Sequence, residues 1–158
     1  MFLSVGRSLK YDGLFLQKLN DLAERVDTKF LLSSGMLAKS ELVKTIPTSE
    51  VESQNYVAAC DLVATKTGYG VVSESIANKI PLVLVNRVGF AEDEVISPRL
   101  SGLCVAKTIN LEQFRQLQWL ERLGDYLSLK KNYANLPSIF EPTGARIVAN
   151  KITEFLKK

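Results

Sequence analysis

Short apolar runs alternate along the chain with longer segments whose apolar residues recur every three or four positions. Runs of the first kind predict buried β-strands, and segments of the second kind predict amphipathic helices. Six runs are predicted to be strands: Phe2–Val5, Lys29–Leu32, Glu41–Ile46, Leu62–Ala64, Leu82–Val85 and Leu103–Ala106. Strands that alternate with helices build a parallel sheet covered on both faces. The pattern therefore predicts one doubly wound, Rossmann-like α/β domain of about six strands over residues 1–158.

The helical segments differ in how clearly their ends are marked. Residues 12–26 have the spacing of a helix that covers one face of the sheet. Asn110, followed three residues later by Gln113, predicts a capping box where a helix over residues 110–123 begins. The last helix begins near Pro142, a preferred first-turn residue, and the stretch before it is expected to be irregular. This last helix is expected to turn three apolar side chains inward: Val148, Ile152 and Phe155.

A glycine-bearing turn in the middle of the chain carries the strongest functional signal. It joins a predicted strand to a predicted helix and reads Thr67, Gly68, Tyr69, Gly70. Glycine has no Cβ to clash at positive φ, so the backbone is expected to turn tightly there and to leave room for an anion. The first turn of the following helix presents free N–H groups and the positive end of the helix dipole. The turn therefore predicts a phosphate-binding site.

Two polar side chains follow this turn on the predicted helix. Ser73 comes first, and Glu74 lies one to two turns into the helix. A carboxylate at that point can accept hydrogen bonds from both hydroxyls of a ribose. A plainer interpretation remains open, in which the glycines only make a turn, Ser73 caps the helix and Glu74 complements the helix dipole.

The same turn also approaches the fingerprint of dinucleotide-binding domains. Gly68, Gly70 and Ser73 match its spacing, and Glu92 or Asp93 falls near the expected acidic position. Serine replaces the third glycine, however, and the motif follows at least three earlier predicted strands rather than the first one. An NAD-binding module is therefore kept as a third-ranked alternative.

The loop after the first predicted strand is a second candidate for phosphate binding. It contains Gly6, Arg7 and Ser8. Backbone N–H, guanidinium and hydroxyl groups can all bind phosphate oxygens, so the loop is expected to help to bind an anion. The alternative is an ordinary polar loop.

A third loop follows the predicted strand that ends at Val85 and holds three consecutive carboxylates, residues 92–94. Acidic residues at a helix start are favourable with the helix dipole, which is one explanation of the cluster. The alternative is that a carboxylate accepts hydrogen bonds from sugar hydroxyls. This alternative is favoured because the loop leaves the sheet next to the glycine turn, and Asp93 and Glu94 are its candidate residues.

Composition narrows the range of functions. The chain is 46% hydrophobic and 23% charged, and its net charge of +3 comes without a lysine or arginine block, so nucleic acid is not an expected partner. The complete absence of histidine excludes Ser-His-Asp and Cys-His chemistry and histidine metal sites. No metal site and no catalytic residue is predicted.

Cys60 and Cys104 lack metal-ligand spacing and are expected to be buried and reduced. The sequence shows neither a membrane-spanning stretch nor a signal-peptide pattern, so a cytoplasmic protein is expected.

The run from Tyr56 to Val85 resembles the C-terminal, donor-binding half of GT-B glycosyltransferases. The likeness is to the family 28 type, typified by the peptidoglycan N-acetylglucosaminyltransferase. That group has an alanine-rich helix, an Asp-containing strand, a Gly-x-x-(Thr/Val)-x-Ser-Glu turn and a Pro-containing strand entry. The sequence around Gly68 and Gly70 is also similar to the glycosyltransferase-like region of arabinokinase-type sugar kinases. The likeness covers the whole chain as a fold.

The resemblance implies roles for matching positions. Glu74 would bind the ribose of a nucleotide sugar, and the residues of the glycine turn would hold the diphosphate: Thr67, Gly68, Tyr69 and Gly70. The loop of Gly6, Arg7 and Ser8 corresponds to a Gly-Gly-Ser-like loop near the phosphates, which it matches in part. Asp93 and Glu94 lie in the family's donor-sugar loop, where carboxylates replace the usual glutamines.

The resemblance also implies that this chain is only one of the two halves that a GT-B enzyme needs. In GT-B enzymes one half holds the activated sugar and the other half brings the acceptor. This chain is expected to bind a UDP- or GDP-linked sugar as substrate, without a cofactor, and to transfer it without metal only when an acceptor-binding domain or subunit joins it. The dolichol-pathway transferase, whose donor half is a separate chain, is the precedent. The alternative is a non-catalytic regulatory domain that binds nucleotides or nucleotide sugars.

Overall fold

A computed structural model describes residues 1–5, 13–33, 40–50, 52–136 and 144–157, and its described part is an α/β structure. The strands are β1 (Phe2–Ser4), β2 (Phe30–Leu32), β3 (Val43–Thr45), β4 (Val63–Lys66), β5 (Leu82–Asn86) and β6 (Ala106–Asn110). The α-helices are α1 (Gly13–Arg25), α2 (Gln54–Ala58), α3 (Tyr69–Ala77), α4 (Ala91–Gly102), α5 (Leu111–Gln116), α6 (Leu123–Leu127) and α7 (Gly144–Leu156). Two 3₁₀ segments, Gln118–Arg122 and Ser128–Asn135, flank α6.

The six strands form one parallel sheet in the order β3-β2-β1-β4-β5-β6. This confirms the predicted fold class. The chain runs outward in one direction from β1 to β3 and in the other from β4 to β6, so the order reverses between β1 and β4. Ser4 pairs with Thr65 across that junction, and the Thr65 hydroxyl donates a hydrogen bond to the Ser4 carbonyl at 2.8 Å. Ligands of open α/β sheets bind at such a reversal, beyond the carboxyl ends of the strands.

Successive residues of the central strands enter opposite hydrophobic clusters, as the alternation of side chains in a strand requires. Ala64 and Val83 face the cluster that includes α1 and α5, whereas Val63 and Leu82 face the cluster that includes α2, α3 and α4. Both faces of the sheet are therefore covered. The central strands are buried on both sides, which explains why their sequences are continuous apolar runs.

The predicted position of the last strand was wrong. Leu103–Ala106 was expected to be this strand, but β6 begins at Ala106. Leu103 and Cys104 instead end α4, with Cys104 at φ +57°, and Val105 is buried just before the strand. Two polar residues of β6, Lys107 and Thr108, made this edge strand hard to see in the sequence.

The helix predicted over residues 110–123 begins as expected but ends early. Asn110 and Gln113 form the predicted capping box. The helix stops because Leu117 adopts a left-handed conformation at φ +62°. Residues 118–135 are helical and partly buried rather than irregular. Within them, the Tyr133 hydroxyl donates a hydrogen bond to the Ile80 carbonyl at 2.6 Å.

Two expectations about burial were wrong. Cys104 is exposed and Cys60 is half-buried, and both are free thiols. In α7 every residue is exposed, including the three that were expected to face inward: Val148, Ile152 and Phe155. The apolar stripe of α7 is present, but no other described element covers it. No helix in the described ranges is both long and apolar enough to cross a bilayer.

Candidate functional site

The carboxyl ends of β4 and β5 lie next to each other at one edge of the sheet. Lys66 pairs with Val85 at the end of this ladder, and α3 and α4 follow the two strands after short turns. The Ser97 hydroxyl donates a hydrogen bond to the Asn86 side chain at 2.6 Å, which ties α4 to the end of β5. The predicted site residues 67–74 and 92–94 are therefore brought to one edge of the sheet by two adjacent strand-to-helix units.

The first turn of α3 presents uncapped backbone donors. Gly68 is the N-cap residue, and no side chain caps the helix there. The amide groups of Tyr69, Gly70 and Val71 have no acceptor inside the helix, because the first N–H groups of any α-helix lack one. A Cβ built on Gly70 would have no heavy atom within 4 Å, so the space beside this turn is open.

The reason given for the two glycines was wrong in one respect. Gly68 has φ −92°, and among the described glycines only Gly89 has a positive φ. A Cβ on Gly68 would lie 3.7 Å from the Lys66 side chain, an ordinary contact distance. The turn is tight all the same, since the Gly68 amide donates to the Lys66 carbonyl at 2.7 Å. Backbone strain does not demand glycine at either position, so open space beside the helix is the feature that the glycines provide.

Ser73 and Glu74 differ in their partners. The Ser73 hydroxyl donates to the Gly70 carbonyl at 2.9 Å, so Ser73 does not cap α3. One carboxylate oxygen of Glu74, Oε2, is shielded from solvent and has no hydrogen-bond partner among the residues that the structure describes. A shielded carboxylate oxygen without a partner is uncommon in proteins, because the group loses its hydration without replacement. Glu74 therefore keeps one acceptor atom that no described group uses.

A network of charged and polar groups joins the ends of β4 and β5. The carboxylate of Asp93 accepts a hydrogen bond from the Thr67 hydroxyl and another from the Arg87 backbone amide at 2.5 Å. It also binds the Arg87 side chain, with Nη2 at 2.6 Å from Oδ1 and Nε at 3.3 Å from Oδ2. Asp93 is only 4% exposed. This arrangement links the residue before the α3 N-cap, the first residue after β5 and the first turn of α4.

The network keeps both of its central groups charged. Burial raises the pKa of Asp93, but hydrogen bonds from the Arg87 side chain, the Thr67 hydroxyl and the Arg87 amide together outweigh burial and lower that pKa below its ordinary value. The hydrogen bond to Asp93 raises the pKa of Arg87 by more than burial lowers it. The buried ion pair is thus maintained at neutral pH.

Arg87 and Phe90 were not identified in the sequence as site residues. The Arg87 guanidinium carbon lies 3.9 Å from the centre of the Phe90 ring, and Nη2 lies 3.2 Å from Glu92 and 3.4 Å from the Thr67 hydroxyl. Arginine immediately after a buried strand, with an aspartate six residues later at a helix start, is the signal that was available. The three carboxylates at the start of α4 gave no indication in the sequence that Arg87 is their cationic partner.

The remaining predicted residues fall into three groups. Both carboxylate oxygens of Asp93 accept hydrogen bonds from the protein's own groups. Glu94 is exposed in the first turn of α4. The loop of Gly6, Arg7 and Ser8 lies outside the described residues. The predicted roles of these residues stay predictions.

A pocket of about 310 Å³ lies between α3 and α4. It is mainly apolar, and its wall includes Val72, Ile76, Ile96 and Leu100. Of the predicted residues that the structure describes, Tyr69 and Ser73 line it. Gly70 is not among the residues that line this pocket. In the described ranges no group of three His, Cys, Asp or Glu side chains has the placement of a metal site.

Comparison with known proteins identifies the fold. No family model matches the sequence, and no curated protein matches it. The glycotransferase of kitacinnamycin superposes with a TM-score of 0.70 at 16% identity, over 97% of this chain and 42% of its own. A Listeria monocytogenes protein described as a UDP-N-acetylglucosamine 2-epimerase superposes with a TM-score of 0.68 at 15% identity, over 99% and 44%. The Streptomyces sp. SF2575 glycosyltransferase SsfS6, complexed with thymidine diphosphate, gives 0.54 at 20% identity, over 86% and 37%.

These likenesses establish the class at the level of fold. The chain has the Rossmann-like α/β fold of GT-B glycosyltransferases, which confirms the fold that the resemblance implied. The chain spans about two fifths of the length of these solved structures. Because the fold is shared by transferases and by a protein described as an epimerase, activity has to be argued from the site.

Proposed function

We propose that this chain is the nucleotide-sugar-binding half of a glycosyltransferase, and that the donor diphosphate binds at the first turn of α3. The observation that carries the proposal is the uncapped start of α3, open beside Gly70, at the carboxyl edge of β4. Uncapped amides at the positive end of a helix dipole bind phosphate oxygens. They also stabilise the negative charge that develops on a departing nucleoside diphosphate, without requiring a metal.

Glu74 extends the proposed site from the diphosphate to the ribose. Its Oε2 lacks a partner and is shielded in this structure; once accessible, it would accept a hydrogen bond from a ribose hydroxyl. The position of the glycine motif supports a nucleotide sugar over NAD, because Gly68 and Gly70 follow β4. In dinucleotide-binding domains the glycine motif follows the first strand. SsfS6 binds thymidine diphosphate, so that nucleotide joins UDP and GDP as a probe.

A second half is part of the proposal. The chain covers 42% of the kitacinnamycin enzyme, so more than half of that enzyme has no counterpart here. The exposed apolar side of α7, which includes Ile152 and Phe155, offers a surface for such a half. We expect this chain to bind the donor alone and to transfer the sugar only with an acceptor-binding domain or subunit. The free thiols of Cys60 and Cys104 are consistent with the proposed cytoplasmic location.

Replacement of Glu74 by glutamine tests the ribose contact. The change keeps the side-chain shape and removes the charge, and loss of a charge-assisted hydrogen bond costs about 1–3 kcal/mol. Affinity for UDP or thymidine diphosphate should therefore fall by roughly five- to 150-fold, measured by isothermal titration calorimetry. The 2′,3′-dideoxy nucleotide should bind wild type and variant about equally, because it cannot donate from a ribose hydroxyl.

Glu24→Gln is the matched control. Glu24 is an exposed carboxylate on α1, whose buried residues pack on the opposite face of the sheet, so its removal changes the net charge equally and should leave affinity unchanged. If Glu74→Gln binds nucleotides as tightly as Glu24→Gln does, the ribose assignment is wrong. If the unmodified chain prefers NAD to all three nucleoside diphosphates, the transferase proposal is wrong.

A further inference from the structure

The Arg87 guanidinium has one edge occupied and one edge available. Its Nε and Nη2 atoms hydrogen-bond with Asp93, Glu92 and Thr67, and the Phe90 ring covers one of its faces. Its Nη1 atom has no acceptor in the described part of the chain. A guanidinium held by one edge can still bind a second anion through the other, and phosphate oxygens match that geometry.

We infer that Arg87 is a diphosphate-binding residue of the proposed donor site, that Asp93 positions it, and that Glu92 is the partner which the incoming diphosphate replaces. The inference rests on the proposed function, because it supplies the side chain that meets the phosphates at the start of α3. The sequence predicted that Asp93 binds the sugar. In this inference Asp93 instead positions Arg87.

The two carboxylates around Arg87 differ in a way that assigns these roles. Asp93 is 4% exposed, lies 2.6 Å from Nη2 and also binds the backbone amide of Arg87. Glu92 is 43% exposed, contacts the guanidinium only through Nη2 and does so at 3.2 Å. Moving Glu92 into solvent breaks one exposed ion pair, which contributes little to stability. Moving Asp93 would leave a buried charge unpaired, which is far more costly.

The location of the guanidinium favours a diphosphate as its ligand. Nη2 lies 3.4 Å from the Thr67 hydroxyl, and Thr67 immediately precedes the N-cap Gly68. The guanidinium therefore contacts the residue that leads directly into the uncapped start of α3. In the unliganded network one guanidinium faces two carboxylates, so exchanging Glu92 for a phosphate retains a negative partner for Nη2.

The test compares nucleoside diphosphates with the matching nucleosides. Arg87→Lys keeps the positive charge but loses the planar fork, so affinity for UDP and thymidine diphosphate should fall about tenfold while affinity for uridine and thymidine stays within about twofold. Glu92→Gln removes the competing carboxylate and should strengthen diphosphate binding about threefold, with no change for the nucleosides. Glu24→Gln removes the same charge at a distant site and should change neither.

Several results would overturn the inference. If Arg87→Lys weakens nucleosides and diphosphates equally, Arg87 does not contact the phosphates. If Glu92→Gln behaves like Glu24→Gln, the diphosphate does not replace Glu92 at Arg87. Both results overturn the inference and leave the proposed function intact. If the unmodified chain binds no nucleoside diphosphate, the proposed function fails and the inference fails with it. Thermal unfolding of each variant shows whether it folds. Should Arg87→Lys be unfolded, Glu92→Gln decides the question.

Discussion

Helices α1 and α7 have the same length and the same kind of amphipathic pattern, yet they end in opposite environments. Both contain 13 residues. In α1 the apolar side is buried against the sheet through Phe15, Leu19, Leu22 and Ala23. In α7 no residue is buried, and Phe155 is 78% exposed. The spacing of apolar residues thus predicts which face of a helix is apolar, but not which part of the molecule packs against that face.

The difference follows from what each helix has beside it. α1 connects two strands of one sheet, so the chain must return across the sheet and the apolar side meets it. α7 has no later strand to reach within the described residues. The apolar side of α7 stays exposed in the described part of the chain, and the solved structures of this fold are more than twice as long as this chain.

The largest effect is expected in α1. Leu19 is fully buried, so Leu19→Ala should lower the free energy of unfolding by about 3 kcal/mol through lost transfer free energy and the cavity left behind. Urea denaturation followed by circular dichroism measures the change. Leu14→Ala is the control in the same helix, because Leu14 is 58% exposed and should cost less than about 0.5 kcal/mol. Equal losses for the two variants would mean that α1 does not pack as described.

The corresponding change in α7 should have the smallest effect. Phe155→Ser removes an exposed ring, so the free energy of unfolding of this chain should change by less than about 0.5 kcal/mol. The same denaturation experiment measures it. A loss above about 1 kcal/mol would contradict the comparison, since it would show that α7 packs on this chain in solution.

Local sequence patterns predicted the central unit of the fold well. The strand, glycine turn, helix and strand from Leu62 to Val85 appear as β4, α3 and β5. A long buried run and a glycine turn are local signals, so they can be recognised without knowledge of the rest of the chain. The edge strand β6 was misplaced because Lys107 and Thr108 are polar, and an edge strand buries less than a central one. The early end of α5 depends on the left-handed Leu117, which apolar spacing does not reveal.

The candidate site was predicted only in part, for a related reason. The turn at Gly68 and Gly70 is contiguous in sequence, so its open helix start could be expected. The Arg87 network is assembled from three elements, and the Thr67 to Asp93 contact spans 26 residues. The sequence pattern indicated that carboxylates cluster at the start of α4. It did not indicate that the most buried of them, Asp93, is used by the protein itself.

The central claim concerns the start of α3, and the backbone amide signals of the chain test it most directly. Two-dimensional ¹H–¹⁵N NMR spectra recorded during titration with UDP and thymidine diphosphate report on each amide separately. The account predicts large, saturable shifts for Tyr69, Gly70 and Val71, because phosphate oxygens would bind these uncapped donors. The amides of α7 should not shift. Binding that saturates while the three α3 signals stay in place, or shifts confined to the pocket residues Val95 and Arg99, would contradict it.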